Sequence, residues 1–198
     1  MIDTFLKAKH WQLFVLTFGI PMAIQFAMVG FVIFNLATHS SIDSVFMFNY
    51  MRVFPLVVVL FMGIFFAWHW SVAIGLQKRV PENVTMKVKK FKVFFFIPLF
   101  YMSAFMIFFA VFPGLHMSHN VDSHVGLFIV FFFIVFFLHL FAMFCILYTL
   151  YFVAKTFKTV ELHREVTFSD FAGEFFLIWF FPIGIWILQP KINKMIEN

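Results

Sequence analysis

The sequence predicts an all-α integral membrane protein: a four-transmembrane-helix bundle with a C-terminal re-entrant or interfacial helix. Three observations carry this. Four apolar stretches reach twenty residues or more, charged residues make up only 12% of the chain against 64% hydrophobic, and Lys and Arg collect in alternate loops. Soluble domains carry about 25% charged residues. A hydrocarbon core about 30 Å thick takes roughly 20 helical residues to cross. The four stretches therefore account for most of the 198 residues, and the chain reads as a single membrane domain over 1–198.

The first span is expected over Trp11–Ala37, behind Lys7 and Lys9, and the second over Val53–Leu76, past Tyr50 and Arg52. Between the second and third lies the most charged segment, 77–92, with six Lys and Arg against Glu82 alone. The third span covers Val93–Phe112. Its exit loop has histidines and Asp122 but no Lys or Arg, and the fourth span covers Leu127–Phe152, continuing as a polar helix to Glu165. With the N-terminus inside, 13 of the 14 Lys and Arg fall on the cytoplasmic side and Arg52 alone outside, the asymmetry that insertion imposes. Both termini are then cytoplasmic. The net charge of +5 reads as topology signal, with lipid and not nucleic acid as the partner.

The last apolar stretch, Phe175–Leu188, is 14 residues, or about 21 Å as a helix. That is short for a crossing and suits a re-entrant or interfacial segment over 171–189. A fifth crossing would place more positive charge outside. Pro182 and Gly184 sit mid-segment, and Ser169 or Asp170 reads as the N-cap of the helix leading in. Trp179 and Trp186, seven residues apart, are expected on one face at headgroup level.

Helices in lipid associate where small residues let backbones approach. Gly19, Ala23 and Ala27 on the first span, and Gly63, Ala67, Ser71 and Gly75 on the second, repeat every four residues and predict that these two helices pair. The 37 Phe, by contrast, read as lipid-facing filler where another composition would place Leu.

Intramembrane polar residues are costly and invite a functional reading. They are Gln25, His69 and His139. A bis-histidine haem would need both rings at one depth, whereas these differ by roughly 9 Å along their helices. A hydrogen-bonded His139, with Gln25 as a partner at similar depth, is the simpler expectation. In the third loop His116, His119, Asp122 and His124 could hold Zn²⁺ or Cu²⁺, imidazole being the commonest metal ligand; the plain alternative is a polar loop. No H-E-x-x-H or comparable catalytic spacing occurs. Cys145 is the only cysteine, which excludes an intrachain disulfide. The first apolar stretch is too long for a signal-peptide core, and no lipidation box is present. Lys158, Glu161, His163, Arg164 and Glu165 suggest a solvated helix or a docking surface.

Taken together, KAKHWQLF at 7–14, GLQKRVPENVTMKVKKFK at 75–92 and EFFLIWFFPIGIWILQPKIN at 174–193 resemble uncharacterised small polytopic inner-membrane proteins of the Bacteroidota type. The resemblance implies a Gram-negative inner membrane and brings no activity with it. From the residues themselves the expectation is a non-catalytic subunit or accessory protein of a larger membrane complex, without a cofactor. A small oligomeric transporter or channel is the alternative, and a metal- or lipid-handling protein using the histidines is a third reading.

Overall fold

The structure, a computed structural model, describes residues 2–39, 44–111 and 125–197. Among these residues there is no strand. Two short helices, α1 (Ile2–Lys7) and α2 (His10–Phe14), lead through a π-helical turn (Val15–Gly19) into α3 (Ile20–His39). Then come α4 (Ser44–Gly75) with a terminal 3-10 turn (Leu76–Arg79), α5 (Val88–Val111), α6 (Val125–Leu162), α7 (Phe168–Trp179) and α8 (Phe181–Glu197). Four helices are long and apolar enough to cross a membrane, over His10–Thr38, Val57–Arg79, Val88–Phe108 and Ile129–Leu162. Each falls on a stretch the sequence singled out.

Local chemistry explains the irregular first span. Pro21 cannot donate to the carbonyl of Thr17, and its ring crowds that oxygen in a regular helix. The chain widens to a π-turn immediately before it, and the buried Thr17 hydroxyl bonds back to Leu13 O at 2.7 Å. Ser71, Ser103 and Thr149 are satisfied in the same way, each by the carbonyl four residues earlier. Short hydroxyl side chains can thus sit in apolar helices without exposing a free donor.

The packed core sits at one end of the molecule, the basic end, where Lys78, Arg79 and the lysines of α5 lie. Its largest buried side chains are Trp68, Phe91, Phe157, Phe171, Ile185 and Leu188. Lys92 stands 5.9 Å from the ring centre of Trp70 and Lys90 stands 5.1 Å from that of Tyr148, so cations and aromatic rings share one level there. Away from this end the helices part. From Ile129 to Phe144, α6 exposes nearly every large apolar side chain, and α3 does likewise along Met22–Leu36.

The C-terminal region is two helices, not one. The chain breaks at Phe180, and Pro182 falls in the first turn of α8, where no intrahelical donor is needed. Trp179 and Trp186 therefore belong to different helices, both half-exposed. Gly184 lies against the backbone of Leu177, closer than any Cβ would permit, and this close approach folds α7 and α8 into a hairpin. Phe181 at its tip packs on Phe65, Trp68 and His69 of α4 and on Phe18. The N-cap of α7 is Thr167, two residues before Ser169 and three before Asp170, the positions the sequence suggested; its N–H donates to Asp170 Oδ2 at 2.8 Å.

The small-residue stripes are not what joins the first two spans. A Cβ on Gly63 would meet nothing within 4 Å, one on Gly19 would meet only Val15 of its own turn, and Ala23 and Ala27 are exposed. The spans touch through larger groups such as Phe18 and Phe61, whose rings are 5.4 Å apart. Ala67 is half-buried and Ser71 buried. Gly75, at the end of the stripe, packs against Ile2 and Leu6, so the helix it admits is α1.

Candidate functional site

The most elaborate polar constellation lies where α1, α4 and α8 meet. On α8 the buried face is Ile185, Leu188, Gln189 and Ile192, a three–four spacing that carries one amide into an apolar core. Trp68, itself buried, donates its indole N–H to Gln189 Oε1 at 2.8 Å. The Gln189 amide nitrogen stands 3.1, 3.0 and 2.9 Å from the carbonyls of Phe5, Leu6 and Ala8, and 3.0 Å from Asn193 Oδ1. Two N–H groups thus serve four acceptors. Asn193 adds its own amide at 3.3 Å from Ala8 O. The last carbonyls of a helix have no partner within it; those of α1 find theirs on α8. Residues 5–8 and 189–193 are clasped by side-chain-to-backbone hydrogen bonds that span 181 to 186 positions.

The next residue after Trp68 along α4, His69, is wholly buried. Its Nδ1 is 2.7 Å from Phe65 O, and a carbonyl only accepts, so Nδ1 carries the proton. Nε2 is then an acceptor, without a partner among the described residues and enclosed by the rings of Phe65, Trp68 and Phe181.

An ionic chain joins the other side of the hairpin to α6. Lys158 bonds Glu161 at 2.7 Å and Glu174 of α7 at 2.8 Å, and Lys191 of α8 reaches Glu161 at 3.2 Å. The segment read from sequence as a solvated helix is therefore a junction of three helices. Just beyond it Arg164 meets Asp170 at 2.7 Å. With the N–H and hydroxyl of Thr167, this guanidinium holds the Asp170 carboxyl well below the usual carboxylate range.

No protein-family model, curated protein or solved structure matches the chain. The site residues read from sequence therefore stand on geometry alone. His116, His119, Asp122 and His124 lie outside the described residues, as does much of the loop that carries them. His69 and His139 are not brought together: the first is enclosed in the core and the second is exposed on α6. Where the sequence offered Gln25 as the partner of His139, the hydroxyl of Tyr101 on α5 stands 3.4 Å from His139 Nδ1. Gln25 is half-buried on α3. Gln189, which sequence reasoning passed over, is the polar residue with the most hydrogen-bond partners among the described residues. The detectable signal was its place in the apolar stripe of α8.

Proposed function

We propose that this chain is a non-catalytic subunit or accessory protein of a larger bacterial inner-membrane complex, multi-pass, with both termini cytoplasmic. The observation that carries the reading is the division of the molecule. Polar side chains at the basic end are spent on holding the chain's own helices together, while α3 and α6 extend beyond the core with large apolar residues uncovered on most faces. Lipid covers such a surface without preference, whereas a membrane partner would cover it specifically through packing. The Lys and Arg distribution supports the orientation. The hairpin then enters from the cytoplasmic side as a shallow re-entrant element. Phe181 contacts Phe65, one and a half turns past Trp70, or about 7 Å beyond the cation–aromatic level.

The test is purification in mild detergent followed by native mass spectrometry. A different membrane protein bound in fixed stoichiometry supports the proposal. A homo-oligomer favours the alternative of a small transporter or channel, and a bare monomer under every extraction condition defeats both. For orientation, a cysteine placed after Lys194 should react only with reagents that reach the cytoplasm; labelling from outside would mean an additional crossing.

A further inference from the structure

A cleft of about 600 Å³ opens at the basic end between the 3-10 turn, the last turns of α6, and α8. Arg79, Glu161, His163, Lys191 and Lys194 line it. We propose that this cleft binds a phosphate group, presented by the headgroup of an anionic lipid. The inference uses the orientation proposed above only to say which leaflet supplies the lipid.

Charge balance is the first argument. Glu161 is matched within the protein by Lys158 and Lys191, and Lys158 also matches Glu174. Counting Arg79 and Lys194 with these four groups leaves two positive charges in excess. Donor supply is the second. Arg79 spends one of its five N–H bonds on Ile196 O at 2.8 Å, which fixes its guanidinium at the wall. Lys191 spends one on Glu161, and Lys194 has no described protein acceptor. Charged donors aimed into one cleft, with hydrogens to spare, suit an oxyanion with several acceptor oxygens.

Shape and backbone agree. His163 closes α6 in the left-handed region at φ 51°, uncommon for a residue with a side chain, and this turn sets it at the rim. Val160 and Met195 give the cleft an apolar side on which glycerol or the upper acyl carbons can rest. Basic pockets between membrane helices at the cytoplasmic face recognise anionic headgroups in this manner.

The full chain, reconstituted in nanodiscs of mixed phosphatidylglycerol and phosphatidylcholine, would be released into native mass spectrometry. The wild type should retain phosphatidylglycerol in preference to phosphatidylcholine, one per chain. Each cation near an anionic surface is worth about fivefold, so Lys194→Gln should lower retention about fivefold and Lys194→Gln with Arg79→Gln by at least about tenfold. Lys194→Gln is an exposed change that leaves folding intact, so the answer does not depend on the double variant. Lys89→Gln, on α5 and outside the cleft, should change nothing. Release of the lipid by millimolar inorganic phosphate would identify free phosphate as the occupant of the same site; no release identifies the lipid. Equal retention of the two lipids, or no effect of either variant, overturns the proposal. The reading as a complex subunit fails on a different result, the absence of a protein partner.

Discussion

Replacing Gln189 by Leu should loosen the whole basic end. The substitution keeps a side chain of similar volume in the buried stripe but removes the acceptor for Trp68 Nε1–H and the donor for the carbonyls of Leu6 and Ala8 at the end of α1. A buried indole N–H left without a partner costs about 2 kcal/mol. The carbonyl of Leu6 is buried and that of Ala8 partly buried, and losing the donor costs about 1 kcal/mol each. The more apolar side chain returns about 1 kcal/mol. The net destabilisation is therefore about 3 kcal/mol, a large share of what a domain of this size has. Reversible unfolding in mixed micelles, followed by tryptophan fluorescence, measures it. A double-mutant cycle with Trp68→Phe isolates the shared bond and should give a coupling of about 1 kcal/mol. A cysteine at Thr4 should also label faster in the Gln189→Leu background, because α1 loses its cap. Stability within about 0.5 kcal/mol of wild type, or a cycle that closes to zero, would refute the reasoning.

Gly184→Ala places a methyl group into the Leu177 carbonyl, backbone that cannot step aside, and should cost at least about 3 kcal/mol. Gly63→Ala, where a Cβ meets open space, should instead be neutral or stabilise by up to about 1 kcal/mol; the same unfolding assay reads both. Lys158→Met leaves Glu174 buried without its counter-ion and should cost about 2–3 kcal/mol, with Lys158→Met/Glu174→Gln recovering most of the loss. Acid should act locally on the start of α7. Because the Asp170 carboxyl is depressed in the folded chain, its contribution is complete above the ordinary carboxylate value of about 4 and is lost as pH falls toward the folded value. Hydrogen exchange at residues 168–171 should accelerate below about pH 4, and Asp170→Asn should abolish that dependence.

The four long helices were legible because hydropathy over twenty residues is a property of each segment alone. α6, for example, is apolar enough from Ile129 onward that no tertiary contact has to be known. The hairpin was only half legible. Its 14-residue apolar stretch ruled out an easy crossing and held Pro182 mid-segment, but the chain turns at Phe180 and uses Pro182 to begin the next helix. That distinction rests on the contact between Gly184 and Leu177, which no periodicity reports. The stripe ending at Gly75 pointed to a close helix contact, but sequence spacing names no partner, and the six residues of α1 are too few to show a helical period. Gln189 was missed for a related reason: its partner Trp68 is 121 positions away, and neither residue belongs to a motif.

The clasp between the two ends of the chain carries a consequence for biosynthesis. The carbonyls of Phe5, Leu6 and Ala8 are synthesised 181 to 184 residues before the amide that caps them. Until α8 is made, α1 can lie against Gly75 of α4, but its terminal carbonyls lack their donor. A chain cut short before Gln189 would insert its long helices, which need only lipid, and still leave Trp68 without its acceptor and the carbonyls of Leu6 and Ala8 without their donor. Completion of α8 is thus what separates a clasped basic end from an open one, and quality-control proteases that survey exposed apolar surface could read that difference directly.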